Sequence, residues 1–240
     1  MKLSFVIPAY NEGRRIGPTL EAAVAYLAEA GLDGEVVVVD DGSQDDTAAV
    51  VARFAASHPQ VRPLRNGRNH GKGYTVRHGA LEAQGEVVLF SDADGSTPVG
   101  EASKLLAALE EGGADVAIGS RALPDSDLAL PQPWPRRLMG WAFRNLVRLI
   151  VLRGFRDTQC GFKAFRREAA REIFRRQTLE GFAFDVELLF IARRLGYRVA
   201  EVPVRWLDST ESRVRLGHHG LRMLMDLFRI RYRALRGAYR

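Results

Sequence analysis

The 240-residue chain is poor in the residues that several protein classes require. It has one cysteine, Cys160, so no internal disulfide can form, in keeping with a reducing compartment. No stretch of about 18 residues is free of charged side chains, which excludes an ordinary transmembrane helix. Met1 runs straight into the strand-like segment Leu3–Ile7, too short and abrupt for a signal peptide. No Gly-x-Gly-x-x-Gly follows that segment, so a dinucleotide site of the Rossmann type is not expected. The glycine-rich stretch Gly67–Gly73 is one residue short of a P-loop and lacks its Ser or Thr. One cysteine and scattered histidines make no zinc site. What remains is a folded globular composition, 46% hydrophobic and 27% charged.

The charge is unevenly distributed. Residues 1–120 carry 10 Lys and Arg against 17 Asp and Glu, a net −7, whereas residues 121–240 carry 25 against 12, a net +13. A basic half points to an anionic partner such as a phosphate-bearing substrate, a lipid surface or nucleic acid, or to arginines on solvated helix faces. Nucleic acid is the weakest of these, because no helix-turn-helix, zinc finger or aromatic RNA-binding motif accompanies the charge. No nucleic-acid partner is therefore expected.

The first half alternates apolar runs with amphipathic stretches. Strands are expected at Leu3–Pro8, Glu35–Asp40, Val61–Leu64, Glu86–Ser91 and Val116–Gly119, with helices around Gly17–Ala30, Asp46–Ala56, Gly73–Ala83 and Glu101–Glu111. Val36–Val39 is apolar on both faces, as in a sheet covered by helices on both sides. The pattern predicts an α/β fold with a mainly parallel sheet. The polar run Ser43–Thr47 is expected to supply caps and first-turn acids to the helix after it. Prolines 124, 131, 133 and 135 break the rhythm over Ala122–Pro135, followed by an arginine-bearing helix at Arg136–Arg153. One domain over residues 1–215 with a basic amphipathic helix over 216–240 is the economical organisation.

In open parallel sheets a ligand sits beyond the carboxyl ends of the strands. Three such ends are acidic: Pro8-Ala9-Tyr10-Asn11-Glu12, Asp40-Asp41-Gly42-Ser43 and Ser91-Asp92-Ala93-Asp94-Gly95. Carboxylates one residue apart, as in Asp92 and Asp94, can hold Mg²⁺ or Mn²⁺ whose other ligands are phosphate oxygens and water.

These segments, with Asn69-His70-Gly71-Lys72-Gly73, resemble the family 2 glycosyltransferases of the GT-A fold. Asp94-Gly95-Ser96-Thr97, Gly119-Ser120-Arg121, Asp157–Lys163 and Phe182–Glu187 are similar to the dolichyl- or polyprenyl-phosphate glucosyltransferases and mannose synthases of that family. The resemblance implies inverting transfer of a hexose from a nucleotide sugar, UDP-glucose or alternatively GDP-mannose, to a lipid phosphate; a soluble or envelope glycan is the alternative acceptor. It implies that Pro8, Tyr10, Glu12 and Asp41 hold the base and ribose, that Lys72 lies close to the nucleotide, and that Asp92 and Asp94 bind the metal, with Asp94 catalytic. Arg121 and Lys163 are read as loop cations suited to the acceptor phosphate or the diphosphate. Asp185 and Glu187, at the start of a helix over Asp185–Leu195, are a general base, sugar ligands, or favourable helix N-terminal charges. A phosphate acceptor is already largely dianionic at neutral pH, so Asp185 is expected to be less essential than Asp92 or Asp94.

The stretches Leu138–Leu152 and Leu221–Leu235 interleave Arg with Trp, Phe, Leu, Met and Ile. Such helices can lie in a headgroup layer, pack on the protein's own sheet, or form a homodimer interface. The expectation is a cytoplasmic protein, peripheral on the inner face of a membrane.

Overall fold

A computed structural model describes residues 2–128, 134–207 and 216–240, giving only the helical backbone for 134–137 and 216–219. Pro131, Pro133 and the 215/216 boundary lie outside the described residues, as do the side chains of Pro135, Arg136 and Arg137.

The alternation read from the sequence is present. Strands β1 (Lys2–Ala9), β2 (Asp33–Asp40), β3 (Val61–Arg65), β4 (Val87–Ser91) and β5 (Val116–Ser120) are separated by α1 (Ile16–Glu29), α2 (Thr47–Ser57), α3 (Lys72–Glu82) and α4 (Ala102–Glu110), the last entered through a 3₁₀ turn at Val99–Glu101. Then come α5 (Trp134–Ile150), β6 (Phe162–Arg166), α6 (Arg167–Arg176), α7 (Phe184–Arg194), β7 (Val199–Pro203) and α8 (Leu216–Leu235).

The seven strands form one sheet in the order β3-β2-β1-β4-β6-β5-β7. All neighbours are parallel except β6, which runs antiparallel to both β4 and β5. Alternation of side chains along each strand supplies two cores. Leu3, Phe5, Ile7, Val36 and Val38 face one side and bury α1 and α4 through Leu20, Leu27, Leu105 and Leu109. Val6, Val37, Val39, Phe90 and Ile118 face the other and bury α3, α6 and α7 through Val76, Ile173, Phe174 and Leu188.

The chain leaves β1 towards β2 on one side, and β4 takes the place on β1's other side, so the strand order reverses between β1 and β4. At such a switch point the loops beyond the strand ends diverge and leave a crevice.

The basic C-terminal helix does not hang off this body. Leu227, Ile230 and Ala234 of α8, and Tyr239 after it, belong to the same core as α3, α6 and α7. The Tyr239 hydroxyl donates to Glu187 on α7 (2.6 Å).

Candidate functional site

The loops after β1 and β2 are knitted to each other. Asn11, held at φ 53° in the left-handed region that asparagine tolerates, accepts a hydrogen bond from the Gln44 N–H (2.7 Å), while its own N–H donates to Ser43 Oγ (2.8 Å). The N–H groups of Glu12 and Gly13 donate to Thr47 Oγ1 (2.7 Å) and Asp45 Oδ2 (3.1 Å). The Ser43–Thr47 run therefore meets its expected role only in part. Asp45 Oδ1 does accept the Thr47 N–H at the start of α2 (3.0 Å), but the N-cap residue Asp46 makes no side-chain cap and the first turn holds no acid.

Asp41 is buried and fully engaged. Its carboxylate accepts from Asn66 Nδ2 (2.7 Å) and from the N–H groups of His70 (3.0 Å) and Gly71 (2.8 Å). It thereby pins the Asn69–Gly73 loop against the end of β2. That packing demands glycine twice. A Cβ on Gly42 (φ 72°) would lie 2.7 Å from the Arg68 backbone, and one on Gly71 (φ 106°) 2.6 Å from the Glu180 carbonyl.

Beyond the ends of β1, β2, β4 and β5 lies a cleft of about 580 Å³. Pro8, Tyr10, Glu12, Asp41, Lys72, Asp92, Asp94, Arg121 and Asp185 line it, whereas Lys163 and Glu187 do not. The Glu12 carboxylate is forked to Arg15 at 2.8 and 2.9 Å. Lys72, at the start of α3, pairs with Asp92. Burial disfavours the Lys72 ammonium, but Asp92, Asp185 and Asp94 outweigh this and hold its pKa above the ordinary lysine value.

Lys163 corrects the sequence reading. It is not a loop cation facing a ligand. It stands in β6, fully buried and outside the cleft lining, and donates to the Cys160 carbonyl (2.6 Å) and to Asp185. Lys163 pairs with Phe90 of β4 and Ile118 of β5, so its side chain shares their face of the sheet, the one packed against α7. Asp185 is thus flanked by Lys163 below and Lys72 nearby. Burial raises its pKa, and the two cations restrain that rise. Glu187 is engaged as well, accepting from the N–H groups of Thr178 (3.0 Å) and Leu179 (2.8 Å) and from Tyr239. It steadies the loop whose Glu180 carbonyl accepts the Gly73 N–H (2.7 Å) beside Lys72.

Arg121, also in the lining, forks onto Asp157 through Nε (2.6 Å) and Nη2 (3.0 Å) and lies over the Trp206 ring at 5.4 Å. Burial alone would raise the Asp157 pKa, but the Arg121 charge and hydrogen bonds bring it down to about 2. The Cys160 thiol is pushed up to about 11, first by burial, so it supplies no thiolate at neutral pH.

Several lining groups had no role in the sequence reading. Trp206 follows β7, Gln159 precedes Cys160, and α8 contributes Arg222, Met223 and Asp226. The Gln159 Nε2 is buried without a partner among the described residues and is a donor open to a ligand. Only Gln159 stood in a motif; the others are isolated in sequence and became visible when distant elements closed on the cleft.

The donor chemistry tests the acid pair as a cation site. Asp92 and Asp94 are hard oxygen donors on one wall of the cleft, and Gly161 leaves room where any Cβ would overlap the Asp92 carboxylate. No group of three or more His, Cys, Asp or Glu suited to a metal exists among the described residues. The pair fits a Mg²⁺ or Mn²⁺ ion that takes its remaining ligands from a diphosphate and water, and does not fit a site built from protein alone.

The profile described as glycosyl transferase family 2 matches residues 4–174. The dolichyl-phosphate beta-glucosyltransferase of Drosophila melanogaster is 40% identical over 252 residues, covering 100% of this chain and 77% of that protein. The Homo sapiens enzyme of the same name is 37% identical over 251 residues, covering 100% and 78%. Among solved structures, mannosyl-3-phosphoglycerate synthase from Rubrobacter xylanophilus superposes with a TM-score of 0.72 at 24% identity, over 99% of this chain and 74% of that one. Glucosyl-3-phosphoglycerate synthase from Mycobacterium tuberculosis, in complex with Mn²⁺, UDP-glucose and phosphoglyceric acid, superposes with a TM-score of 0.69 at 21% identity, over 95% and 78%. At those identities the likeness concerns the fold, which is GT-A.

Proposed function

The chain belongs to glycosyl transferase family 2, and from that premise we propose that it transfers glucose from UDP-glucose to a dolichyl or polyprenyl phosphate. The observation that carries this reading is the make-up of the cleft, which brings paired acids and Lys72 together with an anchored Arg121 stacked on Trp206. The acids and Lys72 suit a diphosphate with its cation, and Arg121 with Trp206 suits a phosphate joined to an apolar chain.

In the reaction a phosphate oxygen of the acceptor attacks the anomeric carbon as the bond to the UDP oxygen breaks. The electron pair leaves on UDP, and an α-linked donor gives the beta product named for the relatives. A divalent ion held by Asp92 and Asp94 would neutralise charge on the departing diphosphate. Lys72 adds a second positive charge beside it. Pro8, Tyr10 and Glu12 form the wall nearest the base and ribose, and Asp41 keeps that wall in shape through the Asn69–Gly73 loop.

Arg121 orients the acceptor phosphate. Its fork on Asp157 fixes the guanidinium plane, so little side-chain entropy is lost on binding. The acceptor has a second pKa of roughly 6 and arrives largely deprotonated, so no general base is required. Asp185 keeps Lys72 and Lys163 in place instead. A lipid acceptor puts the working enzyme at a membrane surface. Among the described residues no helix is long and apolar enough to cross one.

Nucleotide release from a panel of UDP- and GDP-sugars tests the proposal, with Mg²⁺ or Mn²⁺ and with or without a short polyprenyl phosphate in detergent. Release from UDP-glucose that requires the lipid phosphate and vanishes in Asp94→Ala is the expected result. Release that ignores the lipid, or prefers GDP-mannose, overturns the acceptor or the donor respectively.

A further inference from the structure

Helix α8 is apolar on two opposite faces. Leu227, Ile230 and Ala234 enter the core, as above. On the outer side Leu221, Met225, Phe228, Tyr232 and Leu235 recur at intervals of 4, 3, 4 and 3 residues, a single stripe on a helix, and are 46% to 82% exposed. A solvated helix carries polar side chains there. Helix α5, which packs against α8, also exposes Leu138, Trp141 and Leu149 and contains no acid. Isolated exposed apolar residues need no explanation, but a continuous stripe marks a covered surface.

The charges along the stripe indicate what covers it. Its borders carry Arg222 and Arg229 on one side and Arg231 on the other, while the helix's one acid, Asp226, is buried and paired with Arg229 (2.8 Å). At the far end a hollow of about 330 Å³ is lined by Phe190, Arg194, Arg231, Ala234, Leu235 and Arg240. Neither Arg194 nor Arg231 has a carboxylate partner among the described residues. A second copy laid on the stripe would bring arginine borders against each other, which like-charge repulsion opposes. An anionic lipid surface offers an apolar layer for the stripe and phosphates for the borders. The stripe starts beside Arg222 and Met223 on the cleft rim, so a bilayer beneath it lies next to the cleft mouth.

We propose that the outer face of α8, extended by α5, docks on an anionic bilayer, with the Arg194–Arg231–Arg240 hollow seating a lipid phosphate headgroup. Its purpose, delivery of the acceptor, rests on the lipid-phosphate reading above.

The test is co-sedimentation of the full chain with phosphatidylcholine vesicles, with and without phosphatidylglycerol, over a salt series, alongside sedimentation velocity without lipid. The expected result is binding to the anionic vesicles that weakens with salt. It should weaken at least about tenfold in Met225→Ser/Phe228→Ser and in Arg194→Gln/Arg231→Gln. These side chains are exposed, so the variants should keep the wild-type fold. Absence of vesicle binding, binding unchanged in both variants, or a dimer that Phe228→Ser dissociates would overturn the proposal. Asp94→Ala should still bind vesicles. If vesicles bind but no lipid phosphate is glucosylated, the acceptor reading fails alone; if detergent-dispersed acceptor is glucosylated without vesicle binding, the docking surface fails alone.

Discussion

Replacing Lys163 with methionine keeps the side chain's approximate length and removes its charge. The ammonium is fully buried, donates to Asp185 and the Cys160 carbonyl, and lies 5.2 Å from the centre of the Phe90 ring. Its loss leaves the buried Asp185 carboxylate without its main counter-charge. Breaking one side of a buried pair costs about 3–5 kcal/mol. In a chain of this size that lowers Tm by roughly 6–20 °C. The pH dependence follows from the raised pKa of Asp185, caused first by burial and restrained by Lys163 and Lys72. A carboxyl whose folded pKa exceeds the unfolded one binds more protons in the native state. Its cost to stability therefore appears as pH rises through those values and is absent below the unfolded value of about 3.9. Without Lys163 the folded pKa rises further, so the deficit of Lys163→Met is largest at neutral pH and shrinks on acidification. Urea unfolding followed by circular dichroism at about pH 7.5 and about pH 5.5 measures both quantities. The double variant Lys163→Met/Asp185→Leu should recover much of the loss. A single variant within about 1 kcal/mol of wild type at neutral pH, or a deficit that grows on acidification, would refute the buried-pair account.

Gly161→Ala should leave stability within about 1 kcal/mol of wild type, because the rotatable Asp92 side chain yields to the new methyl, yet it should lower Mn²⁺ affinity measured by calorimetry at least about tenfold. Unchanged Mn²⁺ binding would remove Asp92 from the cation site. Arg121→Lys keeps the charge but loses the fork, and it should raise KM for the lipid phosphate more than it lowers kcat; an effect confined to the nucleotide-sugar KM would move Arg121 to the donor side. With its pKa lowered to about 2, Asp157 contributes about 2 kcal/mol that is present above its unfolded pKa and lost as pH falls through the folded value, so urea titrations from pH 5 downward should show that loss in wild type and little of it in Arg121→Ala. After correction for folded fraction, Asp185→Asn should retain more activity than Asp94→Asn, and the reverse order would reinstate Asp185 as a base.

The parts of the protein legible in its sequence are those governed by local pattern. β1 to β5 and the helices among them lie within a residue or two of their expected bounds, because an apolar period and its flanking breakers depend only on neighbours in the chain. The acidic strand ends were legible for the same reason. In a parallel sheet the carboxyl end of every strand falls on one edge, so Asp41, Asp92 and Asp94 share that edge, and the adjacency of β2, β1 and β4 brings them into one cleft.

Tertiary structure decided what depends on contacts between remote segments. The register of β6, which sets Lys163 beside Phe90 and Ile118, places its side chain on the face covered by α7 and makes it a buried counter-ion of Asp185, and nothing in Phe162–Arg166 encodes that register. Capping is the local use of the polar run after β2, and Asp45 serves it, but the β1 loop 32 or more residues away also claims Ser43, Asp45 and Thr47. Helix α8 could be read as amphipathic but not as part of the cleft, since Arg222, Met223 and Asp226 join Lys72 and Trp206 in its lining only when the last helix packs onto the core shared with α3, α6 and α7. A sequence states which surfaces an element must bury. Which partner buries them is settled by the competition among all elements at once, and that choice brought Trp206 and the α8 residues into this site.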